Sequence, residues 1–278
     1  MAHLSVRNSF RLAELRAGVK PFRLHFFTTL RSTSLHAATM RKRGDLFAPA
    51  IVLTARQTAG RGRGANTWFS AAGSLTVTFI LPVNPTLAPH HLPLAAGLAV
   101  RDAAAELAAD QNIQLKWPND LVYATHPGAR TSRSGTTSPP PLIKLAGLLC
   151  ERLDHVDLIG VGLNVNIPAR PLPRDIADRV IFLEQLSHPQ AALDLTTALL
   201  TLTHHLHRVL VRQSETPFPT LLREYDRHHA LLGRTIAVYA AAEPPAVGKC
   251  EGLDSTGRLL LRTRAGLKRM IAGHVELR

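Results

Sequence analysis

The chain has 278 residues, 45% hydrophobic and 19% charged, which excludes a disordered tail and leaves enough apolar surface for a buried core. It carries 33 Lys and Arg against 20 Asp and Glu, a formal charge of +13, so anionic partners such as phosphate esters, acidic proteins or nucleic acid are favoured. Two cysteines, Cys150 and Cys250, are too few for a disulfide framework and lack zinc or redox spacing, which points to a reducing, cytoplasmic setting. The charge-free stretches 76–81 and 92–100 fall well short of the ~20 residues of a membrane helix.

In chain order, residues 1–20 form a basic N-terminal extension whose order the sequence leaves open. A strand is predicted over 22–29 and a helix over 32–41, followed by a buried strand at 50–54. A Gly/Arg loop covers 60–65. Residues 75–81 (LTVTFIL) alternate with period two and predict a half-buried strand. An Ala-rich helix is expected over 94–109, then short strands at 113–117 and 121–123 around a Pro118-Asn119-Asp120 turn. Residues 124–141, rich in Gly, Ser, Thr and Pro, read as a disordered surface insertion. Strands resume at 143–149 and 158–166, and helices are predicted over 191–211 and within 217–232. From Gly233 onward, short strands and turns describe an all-β barrel of about 45 residues. The domains are therefore 21–232 and 233–278.

Three stretches carry chemistry. Residues 56–64 (RQTAGRGRG) follow a buried strand. Glycines at alternate positions allow close backbone approach, and Arg61 and Arg63 offer forked donors to phosphate or carboxylate. This is neither a Walker loop nor G-x-G-x-x-G, and alone it also fits an RNA-binding patch. The second is K-W-P-N-D at 116–120, in which Lys116 closes a strand beside Trp117 and a rigid turn; a surface turn fits equally. The third is K-L-A-G-L-L-C-E at 144–151 with G-V-G-L-N-V-N at 160–166. Glycines inside strands mark close approach by a ligand or a neighbouring backbone, and Asn164 offers an amide.

In this order, with Ser32-Thr33-Ser34 ahead and Trp68 closing QTAGRGRGANTW, these segments resemble the biotin protein ligase family, biotin–[acetyl-CoA-carboxylase] ligase. The resemblance implies an α/β (α+β) catalytic domain with a mixed, largely antiparallel sheet flanked by helices, of the class II synthetase-like kind, and a C-terminal SH3-like β-barrel. It implies activation of biotin by MgATP to biotinyl-5′-adenylate, then transfer to a lysine of a biotin carboxyl carrier protein. It assigns Lys116, Arg63 and Asp120 to catalysis. Ser32, Thr33, Ser34, Gln57, Arg61, Gly62, Arg63 and Lys116 fall to biotin, and Arg61, Arg63, Trp68, Lys116, Gly162 and Asn164 to the nucleotide. No protein ligand for Mg²⁺ is identified. The lid is expected to be loose before ligand binds.

The sequence departs from the family at three places. S-T-S replaces the usual S-T-N, Gly64-Ala65-Asn66-Thr67 stand where the family commonly reads R-G-R-x so that two cations are missing from the lid, and the 124–141 insertion is long. About 20 residues precede the first strand, too few for the ~60-residue winged module of some relatives, so DNA binding is not expected. A homodimer through a sheet edge stays open. The competing readings are a lipoate or octanoate ligase-like acyltransferase, a biotin-binding paralogue with impaired catalysis, and an RNA-binding protein.

Overall fold

The computed structural model describes residues 9–124, 141–187, 190–211, 218–240 and 244–278. The first half contributes α1 (Leu12–Gly18), β1 (Arg23–Leu30), α2 (Thr33–Lys42), β2 (Ala50–Gln57), β3 (Gly60–Arg61), β4 (Thr67–Trp68), β5 (Ser74–Pro82) and α3 (Leu92–Ala108). There follow β6 (Ile113–Lys116), β7 (Asp120–Ala124), β8 (Leu142–Leu153), β9 (Val156–Asn164), the one-turn helices α4 (Arg174–Ala177) and α5 (Leu183–Leu186), α6 (Leu195–Leu206) and α7 (Phe218–Arg227). Seven strands make one sheet in the order β1-β2-β5-β9-β8-β7-β6. Only β1 and β2 run parallel; every other neighbouring pair is antiparallel. The insertion expected at 124–141 lies, for 125–140, outside the described residues.

The sheet separates two cores. Ile51, Leu53, Leu75, Val77, Phe79, Ile159, Val161 and Leu163 face the main one, shared with α1, α3, α6 and α7. Ala50, Val52, Ile80 and Leu158 face the other way, into a smaller core under α2. The half-buried expectation for 75–81 is therefore corrected: Leu75–Leu81 are buried on both faces, because β5 lies between two neighbours and two cores. The alternation in LTVTFIL marks a polar buried face, not an exposed one.

Helix ends follow their caps. Ser32 Oγ accepts from Leu35 N–H at 3.4 Å at the start of α2, and Asp194 Oδ1 accepts from Thr197 N–H at 2.8 Å at the start of α6. The second cap places the α6 start four residues later than the apolar pattern predicts, and the helix runs on into a π-helical turn, His207–Val211. In α3, small residues let the helix pack closely, and its Arg101 is buried with donors to Ile113 O and Gln111 O.

Residues 1–20, set apart in the sequence as an extension, need correction where they are described. Leu15 and Val19 are fully buried in the main core, so α1 packs as part of the unit built on the seven-stranded sheet. Its single helical face was hidden by the surrounding charges; residues 1–8 are outside the described set.

The C-terminal unit comprises β10 (Thr235–Tyr239), β11 (Ala246–Leu253), β12 (Leu259–Thr263), β13 (Gly266–Met270) and β14 (His274–Leu277). They form an antiparallel sheet in the order β13-β12-β11-β10-β14, the SH3-like unit expected. Ile236, Val238, Cys250, Leu259 and Leu261 continue the main core. His90 and His91 each place Nε2 3.1 Å from Thr256 O, tying the start of α3 to the β11–β12 turn. Among the described residues no helix is long and apolar enough to cross a membrane.

Candidate active site

Strand register carries one row of residues across the sheet. Thr54 lies opposite Thr76, Thr76 opposite Gly162, Gly162 opposite Gly147, Gly147 opposite Asp120, and Asp120 opposite Lys116. Residues directly opposite one another share a face. Three motifs far apart in sequence thus meet on one surface, on the α2 side of the sheet.

The glycines of this row make room for two side chains. Lys144, three residues before Gly147, shares its face because β8 carries one extra residue opposite Leu121 and Val122, and its side chain runs along the strand: a Cβ at 147 would stand 3.1 Å from both Lys144 Cε and Nζ. Lys144 Nζ meets Asp120 Oδ1 at 2.7 Å. On the adjacent strand a Cβ at 162 would fall 2.3 Å from Trp68 Cε2, so the indole rests directly on bare backbone. Lys144 Nζ lies 5.7 Å from that ring's centroid, within cation–π range. The spacing K-x-x-G and the pair G-V-G are thereby explained as clearance. Gly162→Val is expected to expel the indole. In a Trp117→Phe background, which leaves Trp68 as the single tryptophan, its emission should shift to the red; unchanged emission would contradict the packing argument.

A chain of hydroxyls stands two residues further along β5. Gln57 Oε1 accepts from Thr33 N–H at 2.9 Å and lies 3.4 Å from Thr33 Oγ1. Thr78 donates to Thr33 Oγ1 at 2.9 Å, and Ser34 Oγ is 3.1 Å from Thr78 Oγ1. A threonine has one hydroxyl proton, and Thr78 has given it to Thr33, so Ser34 is the donor in the remaining bond. Ser34 thus joins a relay in which β5 supplies the missing polar group. Ser32 is spent on capping α2. Nearby, Trp68 Nε1, Ser74 Oγ and Thr76 Oγ1 are buried without protein partners, polar atoms open to a ligand or to water. Thr78→Val should leave the Ser34 hydroxyl without its acceptor and take from Thr33 Oγ1 its donor, while Gln57 still holds Thr33; the cost should be about 1–3 kcal/mol of stability, read as a lower midpoint in urea unfolding.

The Gly/Arg stretch closes on itself. Gly60 pairs with Trp68 and Arg61 with Thr67, while Gly62 N–H donates to Asn66 O at 2.8 Å and Asn66 N–H to Arg63 O at 3.1 Å. Asn66 and Thr67 hold the hairpin. Arg61 reaches Glu151 at 3.3 Å. Arg63 donates to Asn119 Oδ1 at 3.2 Å and to Gly273 O at 3.4 Å, joining hairpin, K-W-P-N-D turn and C-terminal unit.

Lys116 sits two strand spacings, about 10 Å, beyond Gly147. It makes no ion pair among the described residues, and burial holds its pKa below the ordinary lysine value, with Lys144 adding to the effect and Asp120 opposing it. Asn164 is buried opposite Ser74. Beyond it a cleft of about 220 Å³ is walled by Ile167, Pro168, Leu172, Val180 and Phe182. Lys144 N–H donates to Arg179 O at 2.8 Å and Ile181 N–H to Lys144 O at 2.9 Å, so that wall is stitched to the lysine strand. Burial raises the pKa of both thiols, that of Cys250 to about 11, which leaves no thiolate nucleophile.

The predicted residues therefore fall into a hydroxyl end (Thr33, Ser34, Gln57), a glycine floor (Gly162 with Trp68), a hairpin (Arg61, Gly62, Arg63) and an outer rim (Lys116, Asp120). Sequence reasoning missed Lys144, Gly147 and Thr78. The signals were present as the first and fourth letters of K-L-A-G and the alternate threonines of LTVTFIL.

One mixed sheet thus bears two lysines, Lys116 and Lys144, on one face and carries an SH3-like unit at its C-terminal side. Residues 27–167 match the model of the biotin/lipoate A/B protein ligase family, and 231–278 match the biotin protein ligase C-terminal domain. The chain belongs to this family. It is 31% identical over 216 residues to the biotin–[acetyl-CoA-carboxylase] ligase of Mycobacterium tuberculosis, covering 76% of this chain and 72% of that one. It is 28% identical over 235 residues to the bifunctional ligase/repressor BirA of Bacillus subtilis, covering 82% of this chain; the match spans 66% of that relative's length. Its fold superposes on the biotin protein ligase of Aquifex aeolicus, solved in complex with biotin and ATP, with a TM-score of 0.75, 26% identity and coverage of 92% of this chain and 98% of that one.

Proposed function

We propose that the chain is an ATP-dependent biotin–[acetyl-CoA-carboxylase] ligase of the cytoplasm, acting on a biotin carboxyl carrier protein. The observation that carries this reading is the Lys144 ammonium, fixed between Asp120 and Trp68 on a glycine-bared floor beside a hydroxyl chain. The polar head of biotin suits the Thr33–Gln57 end. Its apolar body suits the floor under Trp68, and its carboxylate suits the lysine.

In the first step a carboxylate oxygen bonds to the α-phosphorus of ATP and the bond to the β-phosphate breaks, releasing pyrophosphate. Two anions must approach, so fixed cations lower the barrier. Lys144 stands at their junction, Lys116 serves the phosphates further out, and Arg61 and Arg63 cover the adenylate. Asn164 and the cleft beside it, which Arg170 and Gln185 also line, receive the base. Mg²⁺ entering with ATP would add positive charge against the phosphates. In the second step the carrier's lysine nitrogen bonds to the acyl carbon, AMP leaves, and the amine proton passes to solvent. Asp120 orients Lys144 throughout.

The test is pyrophosphate release with biotin, lipoate or octanoate, with and without a carrier domain. Biotin-dependent release is expected; release with octanoate alone would favour the acyltransferase reading, since a plain acyl chain has no use for the hydroxyl relay. The pH profile adds a second check. The Lys116 ammonium is lost as pH rises through a pKa that burial has lowered, so the alkaline limb should fall below the ordinary lysine value of about 10.4. Lys116→Arg should remove that limb, because a guanidinium stays charged.

A further inference from the structure

β1 closes one side of the sheet, and β2 is its strand partner among the described residues. Arg23 donates its backbone N–H to Pro49 O at 3.1 Å on the β2 side. Backbone groups of successive strand residues point to opposite edges, so Leu24, Phe26 and Thr28 turn their N–H and C=O groups away from the sheet. No described backbone or side chain bonds them there. The strand, RLHFFTTL, contains no proline or glycine that would blunt the edge.

At the head of this edge lies a cleft of about 730 Å³ lined by Arg16, Lys20, Pro21, Phe22, Arg23 and Leu24. Three cations and no acid line it. None of the three enters an ion pair among the described residues, whereas Arg11 is held by Glu14 and Asp194. An open strand edge and an uncompensated positive cleft thus adjoin one another, outside the site described above.

We propose that this edge takes up an extended acidic segment of a protein partner as an eighth strand, its carboxylates seated on Arg16, Lys20 and Arg23. Main-chain bonds to Leu24, Phe26 and Thr28 supply the affinity, and the cations choose the partner. A second copy of this chain fits poorly, because its own β1 offers no acid and both copies carry +13. A nucleic acid would satisfy the cations but leave the strand edge unpaired. β1 leads through Arg31 to Ser32 and Thr33, so a bound segment spans about 23 Å from the cleft to the mouth of the site. The inference rests on the edge and the cleft, not on the ligase reading.

The experiment uses the full chain and an acetylated ten-residue peptide of alternating Glu and Val, with a Lys-Val peptide and an oligouridylate of equal charge as comparisons. Binding of the Glu-Val peptide should weaken with salt and slow hydrogen exchange at the Leu24, Phe26 and Thr28 amides. The Arg16→Glu, Lys20→Glu double variant should bind it about tenfold more weakly while releasing pyrophosphate at the parent rate. Unprotected β1 amides at saturating peptide, equal affinity in the double variant, or binding of the oligouridylate in preference to the peptide would each overturn the proposal.

Discussion

Lys144→Ala is expected to reduce biotin-dependent pyrophosphate release by about a hundred- to a thousandfold, the usual consequence of removing one fixed charge from a developing anionic centre. The side chain is held from two directions, by Asp120 at 2.7 Å and by the Trp68 ring at 5.7 Å, so its charge acts without further reorganisation. The ion pair is partly exposed and contributes little to stability, so the variant should melt near the parent. Lys144→Arg should recover only part of the rate, because the planar fork does not fit the bed over Gly147. A Lys144→Ala protein that turns over at the parent rate would move the role to Lys116.

Gly147→Ala is the second effect. The added methyl would stand 3.1 Å from the end of Lys144, and the atoms it meets are the tip of a flexible chain. The lysine yields and the fold survives. The lysine end has to give by only a few tenths of an ångström, and since a 1 Å misplacement costs on the order of a hundredfold in rate, kcat should fall by roughly three- to tenfold with an unchanged melting temperature. The comparison with Gly162→Val is informative. There the obstacle is the Trp68 ring at 2.3 Å, and a bulky indole cannot yield as a lysine can, so loss of binding should accompany loss of rate. If Gly147→Ala instead lowered stability and left kcat intact, the glycine would be serving the strand and not the lysine.

Both effects depend on features that a linear reading lists without linking. K-L-A-G was legible as a lysine and a glycine three residues apart, yet the lysine went unassigned, because only the extra residue of β8 opposite Leu121 and Val122 brings positions three apart onto one face. Lys116 was legible as a strand-end cation, but its distance from the floor is set by the two strands, β6 and β7, that carry the row outward. Ser34 stood out in sequence as a departure from the family pattern. Its compensation by Thr78 lies 44 residues away, across a helix–sheet contact that no local pattern encodes.

Composition, periodicity and motif order were sufficient by themselves for a basic chain of mixed strands and helices that ends in short strands, and the resemblance they carried reaches the family and its α+β fold. Those properties are local: they depend on which residues alternate, which cap a helix and which stand next to a glycine. Tertiary structure alone decided which face each strand residue occupies. It placed α1 in the core, buried β5 on both sides, aligned Thr76, Gly162, Gly147, Asp120 and Lys116 in one row, and left β1 with an open edge. Cross-strand register is fixed by long-range pairing against two cores, and a shift of one residue would turn every member of that row to the opposite face.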